Sequence, residues 1–196
     1  MIAVITGDIM KSRSELPEIW LPILEQALAT YAVRFDIFRG DSFQLELPVD
    51  QALTAAFYIK AAMIEVGLDV RMGIGIGEKD YDSSHVKTTF GSALVYSGEA
   101  FDELKKETLY LKSANEEINA LCNMVLPLLG ELTLRWTANI AETVKVALKN
   151  EHVNQVDLAK LLKKKYQSQV STALQKAGFN KIQHALDYCT RQLLTL

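Results

Sequence analysis

The sequence predicts an α+β chain, with strands and helices interleaved to about residue 112 and helices alone from there to Leu196. Three observations predict it. Short β-branched or alternating runs, broken by segments of helical period, fill the first part. No strand pattern recurs after Ser113. The charge also changes sign: from Lys145 onward nine Lys and Arg stand against three Asp and Glu, whereas 12 stand against 21 before it.

The elements follow in order. Ile2 to Ile5 is an apolar, β-branched run, expected as a buried strand that stops at the turn Thr6-Gly7-Asp8. Leu16 to Val33 carries apolar residues at helical spacing, with Ser14 as the N-cap, Pro17 in the first turn, and Pro22 marking a break or a late start. Phe35 to Phe38 and Phe43 to Leu47 alternate with period two around Arg39-Gly40-Asp41-Ser42, the pattern of a β-hairpin. Asp50 caps a helix through Ala56, Ile59 and Met63 that closes at Gly67. Val70 to Ile76 reads as a strand whose glycines, Gly73 and Gly75, suggest close approach by a ligand or by backbone. A polar loop over 78–90, a helix from Ala93 to Lys105 and a strand from Thr108 to Leu111 complete this part. The order β-α-β-β-α-β with a further α-β unit is the ferredoxin-like pattern with an extension.

Helices are expected at 113–129, 137–149, 154–163, 167–177 and 180–195, separated by Gly130, Asn150, a lysine run and Gly178. The change from mixed to all-helical places an α/β domain over 1–112, a helical connector over 113–135 and a helical domain over 136–196.

Composition narrows the class. Hydrophobic residues make up 49% and charged residues 23%, which excludes a disordered chain. No apolar run reaches the roughly 20 residues of a membrane span, and the first strand lacks the basic flank of a signal peptide. Cys122 and Cys189, far apart in sequence, read as reduced, half-buried residues of a cytoplasmic protein. His85, His152 and His184 stand singly and supply no zinc ligand set. Gly73, Gly75 and Gly77 have GxGxG spacing with no helix directly after them, so a dinucleotide fingerprint is excluded by context.

Two constellations carry chemistry. Asp8 at the end of the first strand and Asp41 at the hairpin tip would lie on adjacent strands, and two carboxylates beside phosphate oxygens suit Mg²⁺. Gly7 and Gly40 would let backbone approach a phosphate chain, and Lys11, Arg13 and Arg39 would balance its charge. The structural alternative is that Asp8 caps a turn and Gly40-Asp41 only tightens the hairpin. The second constellation is Asn154 to Gly178. Leu158, Leu162, Val170 and Leu174 would form the shared core of two crossing helices, with Ala159 allowing close contact. Gln167, Ser168, Gln169, Ser171 and Thr172 suit base edges, while Lys163, Lys164, Lys165 and Lys176 suit phosphates. This segment resembles a helix-turn-helix, except that Lys163 stands where the turn normally has Gly and the turn is about one residue longer than usual. A helical hairpin serving dimerisation is the alternative.

The segments Val4-Ile5-Thr6-Gly7-Asp8-Ile9, Phe38-Arg39-Gly40-Asp41-Ser42-Phe43, Val70 to Gly77 and Phe90-Gly91-Ser92-Ala93 resemble the palm of class III nucleotide cyclases. With Trp136-Thr137 and the helical tail, nearly the whole chain looks like the SatD family, described as a cyclase-like domain joined to a helix-turn-helix. The resemblance implies that Asp8 and Asp41 match the metal-binding aspartates, with the Ile9 carbonyl beside them. Active cyclases place an Asn and, four residues on, an Arg where this chain has Val95 and Glu99. An acid in place of the Arg would repel a polyphosphate, so cyclisation is not expected. The expectation is a homodimeric DNA-binding transcriptional regulator whose cyclase-like domain binds a nucleotide or other phosphorylated ligand with Mg²⁺. A divergent Mg²⁺-dependent nucleotide-processing enzyme and a helical adaptor without DNA binding are the alternatives.

Overall fold

β1 (Ile2–Met10) is the centre of the sheet in the computed structural model, which describes residues 1–81, 85–86 and 89–196. It pairs antiparallel with β3 (Ser42–Leu47) on one side and with β4 (Asp69–Gly77) on the other. β2 (Arg34–Phe38) pairs antiparallel with β3, and β5 (Leu109–Lys112) lies parallel to β4, giving the order β2-β3-β1-β4-β5. The turn expected at Thr6-Gly7-Asp8 does not occur. Gly7 pairs with Phe43 and Met72, and Asp8 with Ser42 and Arg71, and the ladder with β4 carries the strand on to Met10. The chain is a mixed α+β structure with, among the described residues, eight α-helices.

α1 (Pro17–Tyr31) and α2 (Ala52–Glu65) cover one face of the sheet. Ala3, Ile5, Phe43, Leu45, Met72 and Ile74 meet them there. Pro22 sits inside α1 without ending it. Its position is exposed, so the Glu18 carbonyl that loses its helical partner can turn to water. Leu16 is the N-cap, and the expected cap, Ser14, belongs to a short 3-10 turn over Ser12–Ser14. Asp50 likewise lies in a 3-10 turn (Val49–Gln51), and its side chain does not cap α2.

α3 (Ser92–Asp102) covers the other face along β4. Its backbone takes the space that the β4 glycines leave open. A Cβ on Gly73 would sit 2.2 Å from the Phe101 nitrogen, and one on Gly75 2.2 Å from the Ala93 carbonyl. Of the two reasons for these glycines, close approach of backbone is the one observed.

α4 (Glu116–Thr133) packs beside β5 and runs straight through Gly130, where a break was expected. Asn115 caps it, accepting from the nitrogens of Glu117 and Ile118. Asn123 accepts from the Leu111 nitrogen and donates to the Leu111 carbonyl, both at 2.8 Å. Asn119 does the same for Ser113, at 2.8 and 3.0 Å. Residues four apart on a helix and two apart on a strand both advance by roughly 6 Å, so the two amides imitate a sixth strand along the sheet edge. Edge groups that would otherwise be free to pair with another chain are thereby satisfied.

α5 (Ala138–Lys149), α6 (Gln155–Leu161), α7 (Gln167–Ala177) and α8 (Phe179–Leu193) form the helical half. It rests mainly on α2, whose residues from Ala52 to Met63 are buried except Thr54. Alanines at 52, 55, 56, 61 and 62 let the sheet and α5 approach α2 from opposite sides. Lys145 of α5 pairs with Glu65 of α2 across this contact. One hydrophobic core, reaching from Ala3 to Leu193, joins the two halves. Lys60 of α2 is fully buried in it, its Nζ donating to Asp69 Oδ1 (2.6 Å) and Thr108 Oγ1 (3.1 Å). Burial, the dominant influence, lowers the Lys60 pKa below its ordinary value, and the Asp69 carboxylate opposes that shift. No helix among the described residues is long and apolar enough to cross a membrane.

Candidate functional site

Strand alternation sets which residues share the face of the sheet that meets α3. Thr6 and Asp8 of β1, Gln44 and Glu46 of β3, Arg34 and Asp36 of β2, and Arg71 of β4 all stand on it by register. This face is polar and internally bonded. Gln44 donates to Thr6 Oγ1 (2.9 Å), which lies 3.0 Å from Ser97 Oγ. Glu46, only 3% exposed, accepts from Arg34 and from Lys79 (2.9 Å), and His85 lies 3.0 Å from Asp36.

Asp8, at the end of the β1–β3 ladder, and Asp41, in the turn before β3, lie on neighbouring backbone segments. The Ile9 nitrogen donates to the Asp41 carbonyl (3.0 Å), and Asp8 pairs in register with Ser42. Their carboxylates are already engaged. Arg71 holds both oxygens of Asp8, Nε to Oδ1 at 3.0 Å and Nη2 to Oδ2 at 2.5 Å, while its guanidinium stacks 5.3 Å above the Phe101 ring. Ser12 donates to Asp41 Oδ2 at 2.7 Å. A cation at this position would have to displace a guanidinium from Asp8, so the residues as placed do not fit a ready Mg²⁺ site. Among the described residues no group of three or more His, Cys, Asp and Glu converges. The sequence Asp80-Tyr81-Asp82 could also hold a metal but reads more simply as a solvated loop, and its Asp82 lies outside the described residues.

Gly7 has a packing role in the sheet. The Phe43 ring lies where its Cβ would be, 2.5 Å away. Arg13 is exposed in the 3-10 turn, and Arg39 and Gly40 are exposed at the hairpin tip, both with positive φ (55° and 92°). None of these lines the cleft beside Asp8. That cleft, of about 450 Å³, is bounded by Asp8, Ile9, Met10, Lys11, Arg71, Lys105, Lys106 and Glu107. Four cations face two carboxylates there. Lys11 (φ 56°) and Lys105 (φ 48°) both hold the left-handed backbone that costs a side-chain-bearing residue roughly 1–2 kcal/mol. Sequence reasoning named only Lys11 of these cations. Lys105 and Lys106 had been placed at a helix end and beyond it, where they look like solvated charge. Val95 and Glu99 lie exposed on α3, Glu99 pairing with Lys112 at 3.0 Å.

The helical half places its candidates as follows. α6 and α7 are joined by a turn in which Lys163 adopts φ 51°, the left-handed conformation that glycine usually supplies. Asn154 caps α6, accepting from the nitrogens of Val156 and Asp157. Gln169 accepts from the Tyr166 nitrogen (3.1 Å) and so fastens the start of α7. Leu158, Leu162, Val170 and Leu174 are buried together, and Ala159 is buried beside them. Behind them α7 packs on α5, and the Trp136 indole donates to the Ala177 carbonyl at 3.2 Å, tying the end of α7 to the α4–α5 junction.

Ser168, Thr172 and Lys176 are exposed on α7, and Ser171 is half-buried. Gln167 is exposed but pairs with Gln155 at 2.5 Å. Lys163 is exposed, and Lys165 lies 5.2 Å over the Tyr166 ring. Lys164 turns inward to Asn139 (2.7 Å) and Glu142 (3.0 Å), bracing the turn against α5. Comparison with protein-family models, with curated proteins and with solved structures finds no match.

Proposed function

We propose that the chain binds double-stranded DNA through α6 and α7, as a regulator whose sheet half takes a phosphorylated ligand. The joint between the two helices carries the reading. A left-handed Lys163, a lysine braced on α5 and a buried Leu158–Leu162–Val170–Leu174 contact fix α7 as a rigid rod. Its Ser168, Thr172 and Lys176 face solvent. A rigid helix with hydroxyl donors and acceptors along one side, flanked by lysines, suits the major groove, where base edges are read and phosphates are held. The surplus of basic residues beyond Lys145 favours the same partner. A homodimer would present two such helices to two half-sites about 34–36 Å apart.

The ligand half of the reading rests on the cleft at Lys11, Arg71, Lys105 and Lys106. Cations gathered in one concavity at the expense of backbone strain favour an anion such as a phosphate ester over a metal alone. Mg²⁺ has no part in the proposed binding step, since Asp8 is committed to Arg71. The strand order β2-β3-β1-β4, with α1 and α2 on one face, supports the ferredoxin-like, cyclase-palm reading of this half. The exposed Glu99 supports binding without turnover.

Selection from a random duplex library tests the proposal. Enrichment of a two-fold symmetric motif, lost when Thr172 and Lys176 are both replaced by Glu, is the expected result. A library that stays random after successive rounds contradicts it.

A further inference from the structure

One side of α4 closes the sheet edge and joins the core through Ile118, Cys122, Leu126 and Leu129. Cys122, and Cys189 of α8, are 0% and 1% exposed, where half-burial was expected. Another side of α4 is apolar and uncovered. Met124 and Leu128 are 63% and 66% exposed, Ala120 is exposed, and Leu121 and Leu132 are half-buried. Ala120, Met124, Leu128 and Leu132 follow at steps of four, and Leu121 stands three before Met124, so the five form one stripe. No charged residue interrupts α4 from Ile118 to Gly130. A helix with one side in the core and the other in water would carry charge on its outer side. Neither the anion cleft nor the α6–α7 unit uses this stripe.

We propose that two copies of this chain pair through α4, antiparallel about a two-fold axis midway between Met124 and Leu128. The stripe is its own complement in that arrangement. Met124 meets the partner's Leu128 and Leu128 the partner's Met124, as a two-fold interface requires. The small Ala120 leaves room for the partner's Leu132. At one end of the stripe stands Glu117, and in the turn beyond the other stands Arg135, both exposed. The same axis sets each Glu117 against the partner's Arg135, so an ion pair closes the contact at both ends. Antiparallel helices also place the positive end of each macrodipole beside the negative end of the other. A lipid surface suits the stripe less well, since Glu117 and Glu131 at its two ends would be repelled by anionic headgroups.

One pair of helices makes a small interface, so the dimer forms reversibly. It would supply the two copies of α7 that the DNA reading needs, but it stands on the chemistry of α4 alone.

Sedimentation equilibrium of the full chain at low salt, without DNA, tests the pairing. A reversible monomer–dimer equilibrium is expected at micromolar concentrations. Replacing Met124 and Leu128 together by Glu, with circular dichroism unchanged because both side chains are exposed, is expected to raise the dissociation constant at least roughly tenfold. Glu117→Arg and Arg135→Glu each put like charges at both ends and are expected to weaken the dimer several-fold. Combined in one chain, the two changes restore it. A parallel pair would not respond in this way, because each Glu117 would already face a Glu117. A chain that stays monomeric at several hundred micromolar would overturn the proposal. So would a dimer indifferent to the Met124 and Leu128 changes, or one that the combined charge exchange fails to restore. With no DNA in the cell, a monomer overturns this pairing without bearing on the contact of α7 with DNA, and a failure of α7 to bind DNA leaves the pairing intact.

Discussion

Arg71 reaches from β4 to take both carboxylate oxygens of Asp8, and this one pairing decides what the end of β1 attracts. With the acid neutralised, the surrounding Lys11, Lys105 and Lys106 favour an anion. Asp8→Asn is therefore expected to tighten binding of tripolyphosphate several-fold, on the order of 1 kcal/mol, and Arg71→Ala to weaken it by as much or more. Isothermal titration without Mg²⁺ checks both, and weaker binding by Asp8→Asn would contradict the reading of the cleft as an anion site that this carboxylate opposes. The backbone proximity of the Asp8 and Asp41 segments was legible from their places at a strand end and a hairpin tip. Arg71 was not, because its reach to Asp8 depends on β4 lying beside β1, which no local pattern states. Lys60 of α2 is likewise a residue whose burial no local pattern states. Its folded pKa lies below that of the unfolded chain, so between the two values the unfolded chain binds more protons. This residue's contribution to stability therefore rises with pH across that window. Lys60→Met is expected to remove that rise, read from urea unfolding at about pH 8 and about pH 10.

The elements themselves were mostly visible, and their ends were not. β1 outran its expected turn because a glycine and an aspartate are tolerated in a strand paired on both sides. α4 ran through Gly130 because packing against β5 outweighs the roughly 1 kcal/mol that glycine costs a helix. The amides of Asn119 and Asn123, which close the sheet edge, look in the sequence like polar interruptions of a helix. Asn123→Ala leaves the Leu111 nitrogen and carbonyl without these partners, and a loss of about 1–3 kcal/mol in chemical denaturation is expected. A change below about 0.5 kcal/mol would show that water replaces the amide. The α6–α7 turn makes the opposite forecast. Lys163→Gly relieves a left-handed side chain and is expected to stabilise by about 1 kcal/mol while reducing the salt slope of DNA binding by about one unit.

At the scale of the whole molecule, the reversal of charge near Lys145 accompanies the change from a mixed half to a helical one. Their union through α2 was less apparent, since a helix buried on both sides has little periodicity to declare it. The sheet half carries a cleft lined by Lys11, Arg71, Lys105 and Lys106, and the helical half carries α7, both built on one shared hydrophobic cluster. The DNA-binding half of the proposal depends on α7 meeting DNA. The measurement that tests this most directly is fluorescence anisotropy of a labelled duplex titrated with the chain at several salt concentrations, beside a Thr172→Glu, Lys176→Glu double variant of unchanged circular dichroism. Affinity falling steeply with salt, at a slope of about −0.9 per phosphate contacted, and at least roughly tenfold weaker binding by the variant are expected. No binding at low salt, or equal binding by the variant, would contradict the assignment of α7 as the DNA-reading helix.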